Sequence, residues 1–423
     1  MKTLHYIVVV WFLGLSSMLG QNGPEPTTLV NTGSDPFVLT AITTSGPTMT
    51  ITASSSNLTD FTSNLIKSQG QFQALSGNSF TASIIYLGVP NAIIFNSNAN
   101  ATNVTLTLTP TGFSRTFTGA SSSDVNTQIE NFIKSDGAAV YADFLRAISK
   151  RSVVAVTDGN PNAATAIAAG SVFGSQGFTP SDELASSADG TADKPRYGGF
   201  GIGFNSGQFK AGGFKGSNTD IAFSGLNFGI NDKVRLIIPV SLSYLKIEGA
   251  QVAGAGLNFV LPIRLRAMDK DNPFNWRVTP LAGVSLRASE DLASGTLLWQ
   301  LGAINTIDYR VNPKLVVCVV NQLTMYRSIA VSYGAYHFDA KIDQQIMKNG
   351  LRLVTPLSKR LIGDIMVIDT RFLKDAAVKQ FTTIGGSLSL RATKSYNLTL
   401  GGNYDTGNNF KAWSVGFSSA WRW

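Results

Sequence analysis

Residues 410–423 read FKAWSVGFSSAWRW. Side chains alternate across a β-strand, so Trp413, Val415, Phe417, Ser419, Trp421 and Trp423 share one face. Ala412, Ser414, Gly416, Ser418, Ala420 and Arg422 share the other. One face is apolar and aromatic; its opposite is small and polar. A soluble sheet covers such an apolar face with a second layer. A strand of a membrane-spanning barrel turns it to lipid and keeps the small polar face inside.

The same alternation begins near Tyr197 and predicts about twelve strands. They fall near 197–205, 219–230, 234–246, 253–267, 276–287, 296–309, 314–326, 344–357, 361–372, 380–391, 396–404 and 411–423. The fourth is the cleanest: Ala255, Leu257, Phe259, Leu261, Ile263 and Leu265 alternate with Gly256, Asn258, Val260, Pro262, Arg264 and Arg266. The second, seventh and ninth are ambiguous, and the eighth alternates poorly. On these boundaries, connections alternate long and short, except between the fourth and fifth strands. That is the pattern of long outer loops and short inner turns in a barrel with both ends in the periplasm. Tyr244, Trp276, Trp299, Tyr309, Trp421 and Trp423 gather near strand ends, as expected of aromatic girdles at two membrane interfaces.

Composition agrees. Charged residues make up 14% of the 423-residue chain, against about a quarter in soluble proteins. Glycine occurs 41 times. Beyond the N-terminal segment no apolar run reaches the roughly 18 residues of a spanning helix. Residues 1–20 read as a secretory signal: Lys2 is the basic end, Tyr6 to Leu15 the apolar core, and Ser16, Ser17 and Gly20 the small residues near a cut. Cys318 is the single cysteine, so no internal disulfide forms, and its apolar strand context reads as packing rather than nucleophilic chemistry.

The N-terminal half differs. Residues 21–37 read as a flexible leader, and 38–155 as a small α+β domain. Its strands are expected at Pro47–Ser54, Phe80–Val89, Ala92–Asn96, Val104–Pro110 and Phe113–Thr118. A helix is expected in Asn57–Lys67. Two further helices carry apolar stripes, one through Val125, Ile129, Phe132 and Ile133, the other through Val140, Phe144, Leu145 and Ile148. Val153–Val156 reads as a strand and Ala163–Ala169 as a short helix. Residues 156–195 form a linker that could plug the lumen, and 196–423 the barrel. Charge divides along the same line: from Thr191 onward there are 27 basic and 15 acidic residues. The basic excess forms no run of nucleic-acid type, so no nucleic-acid partner is expected.

A terminal period-two strand carrying Trp413, Val415, Phe417, Trp421 and Trp423 resembles the assembly signal of bacterial outer-membrane β-barrels. The order of domain, linker and barrel resembles the autotransporter β-domain architecture, over roughly residues 195–423. The resemblance implies a barrel that anchors an N-terminal passenger, with a helix threading the pore; Ala163–Ala169 is the nearest match. It also implies outer-membrane lipid and the barrel-assembly machinery as partners, with no cofactor. The alternative is an anion-preferring pore with a periplasmic accessory domain.

Arg235, Arg264, Arg266, Arg277, Arg287, Arg352, Arg391 and Arg422 fall on the inner phase of their strands. An arginine facing lipid costs about 2–4 kcal/mol at the midplane, so these residues set the phase. They predict either a stapled interior, with Asp308 and Asp369 as possible partners, or a basic wall that attracts anionic solutes. His337, beside Tyr336 and near Asp339, lacks the nucleophile or paired carboxylates that hydrolysis needs. No metal-ligand spacing or phosphate loop appears, Gly199, Gly201 and Gly203 included. Catalysis is not expected.

Overall fold

The computed structural model describes residues 35–57, 60–61, 75, 77–134, 137–178, 199–231, 233–269, 271–292, 294–333, 336–338, 340–393 and 395–422. The expected signal, nearly all of the leader, most of the helix at 57–67, the polar end of the linker, Asp339 and Trp423 lie outside these residues.

Six antiparallel strands build the N-terminal unit: β1 (Phe37–Thr43), β2 (Thr50–Ser55), β3 (Phe80–Tyr86), β4 (Val89–Ser97), β5 (Asn103–Leu108) and β6 (Phe113–Thr118). Their order in the sheet is β2-β1-β3-β4-β5-β6. Phe37, Leu39, Ala53, Ala82 and Ile84 line its buried face, and Thr40, Thr52, Ser83 and Thr107 occupy the other. Helices α1 (Ser122–Lys134) and α2 (Gly137–Ser149) cover the apolar face. The Ser121 hydroxyl caps α1 by accepting from the Asp124 amide at 3.2 Å. Val125, Ile129 and Phe132 of α1, with Phe144, Leu145 and Ile148 of α2, are buried together with the sheet. Val153–Val156, expected as a strand, is instead a turn whose side chains are buried or half-buried at the junction with the second unit. An apolar run covered on all sides has no period to betray its conformation.

A short helix, α3 (Ala164–Val172), runs into a π-helical turn at Phe173–Gly177. The barrel follows, built from β7 (Gly199–Ala211), β8 (Phe214–Gly229), β9 (Arg235–Ile247), β10 (Ala250–Val260), β11 (Ile263–Arg266), β12 (Phe274–Ser289), β13 (Ser294–Asn312) and β14 (Leu315–Ser328). A small hairpin, β15 (Val331–Tyr333) and β16 (Tyr336–Phe338), interrupts before β17 (Asp343–Pro356), β18 (Leu361–Phe372), β19 (Gln380–Arg391), β20 (Tyr396–Gly407) and β21 (Phe410–Arg422). β10 and β11 are one strand broken at Leu261–Pro262, where proline has no amide to donate. Counted so, the barrel has twelve antiparallel strands and it is closed. β21 pairs with β7 from Phe410↔Ala211 to Arg422↔Gly199, and β10 pairs with β12 from Ala253↔Ala288 to Val260↔Leu281.

All twelve expected strands exist, with two corrections. The first two are longer than expected and meet at Gly212–Gly213, both with positive φ (+55° and +97°). The stretch 206–218 reads as a loop because it is rich in Ser, Gly and Asn, yet it pairs in register. Gly207 is needed there: a Cβ would sit 2.2 Å from the Trp413 carbonyl oxygen. The second correction follows. Connections at one mouth span 212–213, 248–249, 290–293, 329–342, 373–379 and 408–409; those at the other span 230–234, 267–273, 313–314, 357–360 and 392–395. Long and short do not alternate, so loop length does not orient the barrel.

The two phases of each strand separate sharply. Ile365, Leu400 and Phe417 point outward, 63%, 57% and 49% exposed, while Ile304, Thr306 and Gln322 point inward at 0–1%. Large apolar side chains standing outward on every barrel wall are stable against lipid and costly against water. Leu400→Arg, outward at the middle of β20, should therefore lose about 2–4 kcal/mol of unfolding free energy, measured by denaturant titration in bilayers. A change near zero would place that face in water.

Candidate functional site: the occupied lumen

The N-terminal unit sits on one mouth of the barrel, here the domain mouth. Its core is continuous with inward residues at that end, among them Phe209, Phe214, Leu245, Ile247, Phe372 and Phe410. Partly exposed ion pairs flank the contact, Lys341 to Asp143 at 2.8 Å and Lys150 to Asp375 at 3.5 Å. Such pairs contribute little, so the shared apolar core carries the docking. β7 begins and β21 ends at the opposite mouth, here the terminal mouth.

Between the two, the chain enters the lumen. Gly159 turns it with φ +83°, where a Cβ would lie 2.3 Å from the Ser149 carbonyl oxygen. The Gly159 carbonyl accepts from the Val378 amide at 3.0 Å. Asp158 is buried at the entrance and accepts from the Thr165 hydroxyl at 2.7 Å and the Gln344 amide nitrogen at 3.2 Å. Burial pushes its carboxyl up, while Thr165, the Gly159 amide and Gln344 pull it back down. Asn160 closes the turn by donating to the Ala155 carbonyl at 2.7 Å.

Helix α3 then descends. Ala164, Ala166, Ala168, Ala169 and Val172 are buried, so the helix is apolar on all sides and narrow enough for a filled barrel. Its end is capped by the Phe173 amide, which donates to Ala169 O and Gly170 O, and further acceptors lie in the turn that follows. Barrel side chains supply the donors. Arg277 donates to Gln176 O (3.0 Å) and Thr306 to Gly177 O (2.8 Å), while Gln322 adds a second donor to Ala169 O (3.4 Å). Cationic wall residues also suit the negative end of a helix dipole. Lys348 lies 5.4 Å from the Phe173 ring centre and Arg352 4.9 Å from that of Phe178. Gly350 makes room for both rings; a Cβ there would stand 2.8 Å from Phe178 and 3.0 Å from Phe173. Val172 and Phe173 pack on inward Ile237, Val260, Leu281, Ile304, Val320 and Ile368. Cys318 is buried with Val316, Val354, Ile362 and Met268 in a neighbouring apolar cluster.

The arginines read from the sequence divide. Arg287 and Arg352 are buried in the inner phase; Arg235, Arg264, Arg277 and Arg391 are half-buried on it. Arg266 is corrected to the outer face. A register shift between Arg264 and Arg266 sets it opposite Trp276, with its guanidinium 5.8 Å from the Phe274 ring centre. Asp369 is likewise on the outer phase, bonded to Arg371 at 2.7 Å and Gln380 at 2.6 Å. Asp308 is inward and accepts from Asn275 at 2.6 Å. Asp158, Thr165, Thr306, Gln322 and Lys348 were not singled out from sequence. The turn Asp158-Gly159-Asn160-Pro161 has the composition of a bend and nothing in it marks an entrance.

The aromatics stand outward in two groups. Trp276, Tyr309 and Trp421 lie toward the terminal mouth, and Tyr244, Trp299 and Trp413 toward the domain mouth. Trp421 stacks on Phe200 at 5.1 Å and leans on Tyr396 at 4.7 Å. Trp276 donates to Asn305 at 2.8 Å, and Arg327 covers Trp299 at 6.0 Å. Val415 and Phe417 continue the outward phase of β21 between Trp413 and Trp421. His337 lies on β16, paired in register with Ser332. No group of metal-ligating side chains occurs among the described residues.

A closed, even-stranded single-chain barrel with an apolar exterior is an outer-membrane barrel, for lipid leaves no other home for such a surface. No protein-family model and no curated protein matches the chain. Solved structures do. The β-domain of the Bordetella autotransporter Brka is similar at 12% identity and TM-score 0.41, over 54% of this chain and 100% of that one. The translocator domain of the autotransporter NalP from Neisseria meningitidis gives 14% and 0.40, over 61% and 98%. An outer-membrane channel from Pseudomonas putida F1 gives 13% and 0.41, over 54% and 96%.

With α3 and the Phe173–Phe178 segment in the lumen, the intact protein should pass little current in planar bilayers. Deleting residues 163–178 should raise conductance and favour anions, because Arg235, Arg277, Arg287, Lys348 and Arg352 then face open water. Equal current from both proteins, or cation preference after deletion, would contradict this arrangement.

Proposed function

We propose that the chain is an autotransporter-like anchor of the bacterial outer membrane that holds its N-terminal α+β domain at the cell surface. One observation carries the reading: between the domain and β7, the chain enters its own barrel. The domain lies at one mouth, residues 158–178 line the interior, and β7 starts at the other. An even strand number sets both barrel ends at the terminal mouth, and single-chain bacterial barrels keep those ends in the periplasm. The domain mouth then faces outward.

The lumen cations support anchoring over conduction. Arg277 holds a backbone carbonyl of the threaded segment, and Arg352 and Lys348 cover its rings. A pore for anionic solutes would leave these groups to water. The role is structural and non-enzymatic, with outer-membrane lipid as the surrounding partner and the barrel-assembly machinery reading the β21 aromatics.

Protease added to intact cells tests the reading. Loss of an epitope placed in the β1–β6 sheet, with the barrel fragment retained, is the expected result. Protection until the outer membrane is permeabilised would put the domain in the periplasm and favour the accessory-domain alternative.

A further inference from the structure

The outer rim at the domain mouth carries an arrangement that anchoring does not require. Lys215, Lys210 and Lys411 are outward on β8, β7 and β21, and they are direct cross-strand partners: Lys210 faces Lys215 on one side and Lys411 on the other. Directly opposed residues have Cα atoms about 5 Å apart, and like charges there are destabilising. Lys246 stands on the same face of β9, opposite Ser217. All four are exposed, and none forms an ion pair among the described residues. Glu248, two residues beyond Lys246, has its carboxylate on the Lys215 backbone amide at 2.7 Å.

The opposite sector of the same rim is built differently. There Asp343 takes both Lys374 and Arg327. Basic residues on that side are neutralised within the protein; on the β8-β7-β21 side they are not. The lysines lie one step beyond outward Tyr244, Tyr404 and Trp413, which occupy the interfacial position of an aromatic girdle. Their ammonium groups therefore reach the level of lipid headgroups.

A cavity of about 550 Å³ adjoins the row. Its lining includes Lys379, Thr382, Thr406 and Asn408, with Gln380 held by Asp369, and Thr406 is the direct cross-strand neighbour of Lys411. Hydroxyl, amide and ammonium groups in one recess suit a sugar bearing phosphate better than a small headgroup.

We propose that this sector binds a phosphate-bearing glycolipid of the outer leaflet, with Lys210, Lys215 and Lys411 on the phosphates, Lys246 at the flank and the Thr406 recess on the sugar. The leaflet rests on the surface-display reading. The charge logic does not: three opposed ammonium groups, with only the Glu248 carboxylate beside them and no ion pair among the described residues, are relieved by a polyanion, and a lipid phosphate is the polyanion present at that depth.

Native mass spectrometry of the full-length protein in non-ionic detergent tests the proposal, using a glucosamine lipid with two phosphates as the probe. Wild type should retain the lipid. The triple variant Lys210→Gln, Lys215→Gln, Lys411→Gln should retain at least roughly tenfold less. Lys374→Gln, which alters the neutralised sector, should match wild type. The same lipid stripped of phosphate should bind wild type no better than the intact lipid binds the triple variant. Heat-modifiable migration on gels confirms that each variant is folded; if the triple variant is not, the single Lys210→Gln and Lys411→Gln variants are read in its place. Undiminished retention by the variant, equal retention of the phosphate-free lipid, or preference for phosphatidylglycerol over the glycolipid would overturn the proposal. Binding in detergent is blind to orientation, so this outcome and that of cell-surface proteolysis fail separately.

Discussion

The pairing of β21 with β7 is the constraint on which the structure depends. Lipid offers no partner to a backbone amide or carbonyl, so an open sheet edge inside a bilayer is untenable. The seam from Phe410↔Ala211 to Arg422↔Gly199 removes both edges at once. It also brings Phe200, Trp421 and Tyr396 into one outward aromatic cluster at the terminal mouth. Closure requires the inner side of the seam to be thin. Gly201, Gly203 and Gly207 on β7 face Ala420, Ser418 and Ser414 on β21, and Gly416 faces Asn205, so small side chains leave the interior free for other occupants.

What occupies it is the chain itself. A ring of twelve strands has a polar, cationic wall, and a buried charge needs a partner. The threaded segment supplies carbonyls and aromatic rings rather than carboxylates. Arg277 and Thr306 satisfy carbonyls of the turn that follows α3, Gln322 adds a second donor to Ala169 O, and Lys348 and Arg352 rest on Phe173 and Phe178. The same contacts solve two problems, the open acceptors of the turn after α3 and the solvation of lumen cations. Above them, the N-terminal unit seals the mouth through a core that it shares with the barrel, so domain and barrel meet as one packed body rather than as beads on a linker.

Much of the barrel was legible because lipid imposes a period of two on the outer face. β9, β10 and β12 could be phased residue by residue for that reason. Legibility failed where a different force governed. The ends of β7 and β8 at the domain mouth turn Gln208, Lys210, Lys215 and Ser217 outward and Phe209 and Phe214 inward, the reverse of the lipid-facing pattern, and they read as loop. β17 alternates poorly because Asn349 and Gln345 face outward while Gln344, Lys348 and Arg352 face inward. Arg266 changed faces through a bulge, and a one-residue shift leaves no trace in composition. Asp369 was assigned inward for its charge, whereas Arg371 and Gln380 satisfy it outside. The occupied lumen was the least visible feature. An alanine-rich helix has no stripe, because every side of it meets protein, and its partners lie more than a hundred residues away in sequence.

The most direct test of the account asks whether the barrel is closed around its own N-terminal chain. Ala169 and Gln322 touch across the lumen, their backbone oxygen and side-chain nitrogen 3.4 Å apart. Cysteines at these two positions, in a Cys318→Ser background, should be joined within one chain by a short bifunctional methanethiosulfonate reagent, since the 3.4 Å contact is made by the far end of the Gln322 side chain and a direct disulfide would be too short. Both thiols should then be closed to a water-soluble maleimide until reductant is added. Two free thiols that label readily in the folded protein would mean that the segment lies outside the barrel.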